Sequence, residues 1–186
     1  MSYRTITLMS GPRRQLCRIE DPSHARYLTC SCYRRLALFG NDRIKDAFAQ
    51  RLAFVRIEMS FELYAWVLMP DHFHLLMRPG PAGDVTRVLR RLKARFARLV
   101  LGRWTELDAP ILARLRDADD RLRFWQPGGG YDRNITSADE LHEKIGYIHA
   151  NPVRRGLAAR PVDWRWSSAR WHEQRCSETV PMDPLP

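Results

Sequence analysis

A chain of 186 residues that is 45% hydrophobic is long enough for one domain with a real core, short for two, and too apolar to be disordered. Lys and Arg total 31 against 21 Asp and Glu, and the net charge of +10 comes almost wholly from Arg, whose guanidinium forks onto phosphates and stacks on bases; a nucleic-acid partner is the expectation. No apolar run approaches membrane-spanning length, no signal-like core is present, and of Cys17, Cys30, Cys32 and Cys176 the pair Cys30 and Cys32, one residue apart, is poorly spaced for a zinc site or disulfide, so the reading is a reduced, cytoplasmic protein with no membrane partner.

Met1 to Ala25 is mixed and basic, with breakers at Gly11-Pro12 and Asp21-Pro22. It reads as an N-terminal arm (residues 1–26) ahead of one domain over 27–170 and a C-terminal tail over 171–186. Tyr27 to Tyr33 is rich in strand formers. Phe39 to Asp42 is a turn and N-cap, leading into a helix over Arg43 to Val55 with Ile44, Phe48, Leu52 and Val55 on one face.

The next stretch, about Phe61 to Arg78, contains YAWVLMPDHFHLLMR, a strand-turn-strand pattern about Pro70-Asp71. Side chains on a strand alternate, so His72 and His74 share a face and Phe73 takes the other. Apolar neighbours on both faces predict central strands. Two imidazoles held this way can supply two ligands to one metal ion, although an isolated H-x-H pair is more often two half-buried histidines.

After Pro79-Gly80-Pro81-Ala82-Gly83, the segment Asp84 to Val100 predicts a helix with Val85, Val88, Leu89, Leu92, Phe96 and Leu99 in an apolar stripe. Off that stripe stand Arg87, Arg90, Arg91, Lys93, Arg95 and Arg98, none with an acidic residue at i,i+4. A solvated face is the common explanation. A row of one sign repels itself, however, and Arg87, Arg91, Arg95 and Arg98 are expected to contact a phosphate backbone. Gly102 to Arg123 reads as an excursion from the domain. Phe124 to Tyr131 is an aromatic cluster ending in three glycines, which form a hinge or let backbone approach closely.

Ser137-Ala138-Asp139-Glu140 is a capping box, and the helix it opens is predicted to stop near Asn151, ahead of Pro152. Leu141, Ile145 and Ile148 form its buried stripe. Tyr147 lies on the flank, among Glu140, Glu143, Lys144 and Asn151, which exposes its hydroxyl with an amide one turn on.

PDHFHLLM, then YIHANPVRRGL, then PVDWRWSSAR, in that order over Tyr27 to Arg170, resembles the HUH single-strand transposases, and among them the REP-associated tyrosine transposases. The Gly102–Arg123 excursion and Gly146 depart from the family pattern. The resemblance implies an α+β, ferredoxin-like antiparallel sheet with the histidine pair on a central strand, helices packed on one face, and the tyrosine on a facing helix. It implies cleavage and rejoining of single-stranded DNA near hairpins through a 5′-phosphotyrosine. His72, His74 and Asn151 become metal ligands and Tyr147 the nucleophile, with Tyr131 the rival.

Two imidazoles and an amide oxygen leave positions open on a divalent ion, suiting Mg²⁺ or Mn²⁺. Bases of the cut strand are expected to stack on Trp125 or Tyr131, and the hairpin stem to meet the basic helix. The protein acts as monomer or homodimer. The competing expectation is a non-catalytic hairpin-binding protein with a regulatory role. A phosphoesterase with two H-x-[ST] motifs is not the expectation, because His74 occupies the position of the required Ser or Thr and no other histidine opens such a motif.

Overall fold

The computed structural model describes residues 24–80, 84–128, 130–174 and 179–186; the expected N-terminal arm lies outside this range up to residue 23. In chain order the elements are β1 (Ala25–Ser31), α1 (Asp42–Met59), β2 (Glu62–Met69), β3 (His72–Arg78), α2 (Val85–Glu106), β4 (Tyr131–Ile135), α3 (Ala138–Arg154) and α4 (Ala169–Gln174). The sheet order is β2-β3-β1-β4 with every neighbouring pair antiparallel, the ferredoxin-like arrangement. The histidine strand β3 is central, between β2 and β1, as expected. Among the described residues no helix is long and apolar enough to cross a membrane.

Strand alternation divides the core in two. Leu28, Phe73, Leu75 and Met77 point to one face, where α1 supplies Phe48, Leu52 and Val55 and α2 supplies Val88, Leu92 and Phe96. Tyr27, Ala65, Val67 and Leu76 point to the other, under Leu141, Ile145 and Ile148 of α3. The helices expected on one face are α1 and α2; the facing helix α3 covers the opposite one. His72 and His74 alternate with Phe73, so they share the α3 face and are separated from α2 by the sheet.

The helix starts follow their caps. Asn41 accepts a hydrogen bond from Arg43 N–H, Asp84 accepts from Arg87 N–H, and Ser137 accepts from Glu140 N–H. The ends depart from expectation. Helix α1 runs on to Met59, where Ser60 takes a left-handed turn. Helix α2 absorbs the start of the supposed excursion, since its apolar stripe continues through Val100 with Trp104 stacked on Phe124 at 5.8 Å. The remainder is anchored by Leu115, which is fully buried, and by the Arg116–Leu122 bridge.

Helix α3 passes through Pro152 instead of stopping before it. The proline forfeits one helical hydrogen bond, but its ring is buried and the chain continues for most of a turn. A Schellman closure then ends the helix. Gly156, at φ +65°, donates to Val153 O at 2.9 Å, and Leu157 donates to Pro152 O at 2.8 Å.

The stretch expected as a C-terminal tail is held to the edge of β2. Asp183 accepts from Leu63 N–H at 2.7 Å and pairs with Arg56 at 2.5 Å, and Val180 is buried in the core.

Candidate active site

One cavity of about 560 Å³ lies between the sheet and α3, lined by Tyr27, Thr29, Arg35, His72, His74, Tyr131, Lys144, Tyr147, Asn151, Arg154 and Arg155. It brings together His72, His74, Tyr131, Tyr147 and Asn151, all selected from the sequence. The strand aims the two imidazoles and the helix supplies the phenol.

His72 Nε2 and His74 Nε2 are 3.1 Å apart. Two imidazoles each about 2.1 Å from one ion, at close to a right angle, have a separation of about 3 Å, so the pair fits a shared cation. The outer nitrogens are also held. His72 Nδ1–H donates to Asp71 Oδ1 at 2.6 Å, because a carboxylate only accepts, and this turns the Nε2 lone pair into the cavity. His74 Nδ1 lies 2.8 Å from both Tyr27 Oη and Thr29 Oγ1, either of which can accept its proton. Among the described residues no three His, Cys, Asp or Glu side chains are grouped to hold a metal. Beside the two imidazoles the cavity wall offers the amide of Asn151. Asn151 Nδ2 donates back to Tyr147 O at 2.9 Å, leaving Oδ1 for the cavity.

Burial, then the charges of His72 and Arg35, pushes the His74 imidazole down to about 3. Burial also holds His72 below its ordinary value, against the opposing pull of Asp71. Both rings are neutral at pH 7, the form that ligates metal. His149, on the far flank of α3, is likewise pushed to about 3 by burial and by His172. Unfolded histidine titrates near 6.5, so between about pH 6.5 and 3 the unfolded chain binds more protons than the folded one, and stability falls as pH falls. In chelator, His74 and His149 together are expected to cost about 4 kcal/mol between pH 7 and pH 5. Urea midpoints at the two pH values check this, and His149→Gln should remove about half of the loss. A flat midpoint across that window would mean these rings are not held neutral by burial.

The two tyrosines are placed differently. Tyr147 is 39% exposed, its ring meets His74 edge-on at 5.7 Å, and the Arg154 guanidinium stands over it at 5.4 Å. Tyr131 is 49% exposed and packs edge-on against Tyr27 at 5.9 Å. Burial raises the Tyr27 phenol to about 12, so Tyr27 remains a protonated packing and hydrogen-bonding group. The glycine next to Tyr131 serves close approach. Gly130 has φ +77°, and a Cβ there would lie 2.2 Å from Thr29 O.

One expectation needs correction, and another gains a partner that the sequence did not show. Trp125 is only 8% exposed: its indole sits among Phe39, Phe48, Phe73 and Phe96 and donates to Lys93 O at 2.9 Å. It is core, and of the two rings expected to stack on bases only Tyr131 is exposed. The arginine row on α2 is not left to an external anion alone. Glu58 of α1 pairs with Arg91 through both carboxylate oxygens and with Arg95 at 3.8 Å. That row also lies across the sheet from the cavity.

The cavity's own cations, Arg35, Lys144, Arg154 and Arg155, were missed as site residues. The signal for two of them was present, in the paired arginines one turn after Asn151. Arg35 is fixed by Asp71 at 3.0 Å and by Ser31 at 2.8 Å, at the second of two consecutive left-handed residues. Nothing in the sequence marks that conformation.

A family model described as transposase IS200-like matches residues 22–150. The REP-associated tyrosine transposase of Escherichia coli K12 is 26% identical over 130 residues, which are 69% of this chain and 66% of that protein. The chain thus spans just under two thirds of that relative's length. In fold it is similar to a REP-associated tyrosine transposase solved bound to a REP hairpin, with TM-score 0.64, 20% identity and coverage of 96% of this chain and 94% of that one.

Proposed function

The chain belongs to the IS200-like transposase family, and on that premise we propose that it cleaves and rejoins single-stranded DNA beside a hairpin, with Tyr147 as nucleophile. The observation that carries the proposal is the convergence of Tyr147, His72, His74 and Asn151 on one cavity, from segments far apart in the chain. His72, His74 and Asn151 are the residues that would hold Mg²⁺ or Mn²⁺. Such an ion supplies positive charge to the non-bridging oxygens of the scissile phosphate.

Tyr147 Oη attacks phosphorus in line with the 3′ oxygen. The new bond is O–P to the tyrosine, the bond broken is P–O3′, and the phenol proton ends on the departing 3′ oxygen, which leaves as a 3′-OH. A free phenol titrates near 10, so its loss of a proton needs help. Arg154, over the Tyr147 ring, and Arg35, Lys144 and Arg155 along the cavity wall offset charge on the strand. The ester conserves the bond energy, so a second 3′-OH reverses the step without a nucleotide cofactor. Tyr131 offers an exposed ring for a splayed base.

The hairpin as partner is supported by the fold relative, which was solved with one. Its stem suits the cleft of about 530 Å³ that Arg87, Arg90, Arg91, Arg95 and Arg98 form with Glu58. Replacing Arg91 and Arg95 with Gln is expected to lower the slope of log K against log salt by about 0.7 to 0.9 per lost phosphate contact. Glu58→Gln should act oppositely, by freeing those guanidiniums. Filter binding of a labelled hairpin across a salt series checks both, and unchanged slopes would return this face to plain solvent.

The test of the function is a denaturing gel of labelled hairpin DNA with the purified protein in Mg²⁺ or Mn²⁺. A label that migrates with the protein supports cleavage through tyrosine. No adduct across both ions and several hairpins would leave a non-catalytic hairpin binder.

A further inference from the structure

Two motif residues have no place in the chemistry above: His149, two positions after Tyr147, and Ser168, the second serine of Trp166-Ser167-Ser168. The fold joins them. Ser168 is fully buried, and its Oγ lies 2.8 Å from His149 Nε2. The same Oγ accepts from Trp66 N–H at 2.9 Å, and Ser168 N–H donates to Trp66 O at 3.0 Å, so Ser168 is pinned to the outer edge of β2. His172 of α4 closes the cluster: its ring meets that of His149 at 4.8 Å, and its Nε2–H donates to Tyr64 O at 2.7 Å.

The geometry points to His149 and Ser168 as positioning residues for strand cleavage: their hydrogen bond fixes the rotation of α3 and thereby the place of Tyr147 beside His74. This rests on the reading of Tyr147 as nucleophile. At about 100° per residue, His149 and Tyr147 lie on nearly opposite sides of the helix, so one side is tied while the other works. The contact between them is the apolar stripe of Leu141, Ile145 and Ile148 on Ala65, Val67 and Leu76, which is non-directional and allows small rotations. The part-buried hydrogen bond between His149 and Ser168 supplies the direction. With side chains reaching about 5 to 6 Å from the axis, a rotation of about 10° moves a tip by about 1 Å. A displacement of that size at a reacting atom can slow a reaction by about 100-fold.

The experiment compares wild type with Ser168→Ala, His149→Leu and His149→Gln, the last retaining an amide near the imidazole Nε2. Three quantities are read at a temperature where each protein is folded: the rate of adduct formation at saturating hairpin, the hairpin Kd, and the nuclear Overhauser contact between the Tyr147 and His74 rings. Ser168→Ala and His149→Leu are expected to lose about 10- to 100-fold in rate with Kd unchanged and the ring contact weakened. His149→Gln should recover most of the rate. Rates within twofold of wild type, or an undiminished ring contact in Ser168→Ala, would make the cluster a stabilising element only. If the wild type itself forms no adduct, the cleavage reading fails separately, and the ring contact alone decides the clamp.

Discussion

His74→Ala is expected to abolish the covalent protein–DNA adduct while leaving hairpin binding in place. The imidazole is one of the two that converge at 3.1 Å, so without it a cation keeps a single nitrogen ligand. Charge neutralisation by such an ion contributes several kcal/mol to the transition state, or about 10²- to 10⁴-fold in rate. Removing the ring also strands Tyr27 Oη and Thr29 Oγ1, which share it at 2.8 Å, at a cost of about 1–3 kcal/mol. The variant should melt earlier yet remain folded, because neither the apolar stripe of α3 nor the α1–α2 core depends on this ring. Chelator on the wild type should reproduce the phenotype. A variant that is folded by circular dichroism and still forms adduct in chelator at the wild-type rate would show that His74 holds no essential ion.

Local signals in the sequence were sufficient for the elements that carry the histidines and the tyrosine. Period-two alternation about Pro70-Asp71 placed His72 and His74 on one face, and the capping serine Ser137 with the stripe Leu141, Ile145 and Ile148 put Tyr147 on an exposed flank. What failed was non-local. Pro152 suggested a helix end, but burial of its ring and the Gly156 closure outweighed one lost hydrogen bond. Trp125 looked like a stacking platform because aromatic content does not reveal burial; rings from α1, β3, α2 and the loop before α1 surround it. The basic helix was legible as a helix, yet its partner Glu58 is on α1, and no periodicity states on which side of a sheet a helix packs. Arg35 is the extreme case, brought to the cavity by two consecutive left-handed residues that no glycine announces.

Tyr147→Phe is expected to bind hairpin DNA as the wild type does and to form no adduct. The ring remains, so its edge contact with His74 at 5.7 Å and the Arg154 guanidinium at 5.4 Å are retained, and only the hydroxyl's hydrogen bonding is lost, about 1 kcal/mol or less net. Phe has no oxygen to attack phosphorus, so the covalent step vanishes instead of slowing. Tyr131→Phe is the discriminating control, since both phenols line the same cavity. Tyr131 stands at the start of edge strand β4 and packs on Tyr27, whereas Tyr147 is on a rigid helix against His74 itself. Its variant should therefore keep the adduct, with a rate lowered only as far as the ring orders the cut strand. Both are read on one denaturing gel of labelled hairpin DNA, alongside binding at matched salt. An adduct from Tyr147→Phe and none from Tyr131→Phe would reverse the assignment. Loss of the adduct from both variants would mean that the two phenols share the chemistry, one as nucleophile and the other in moving its proton.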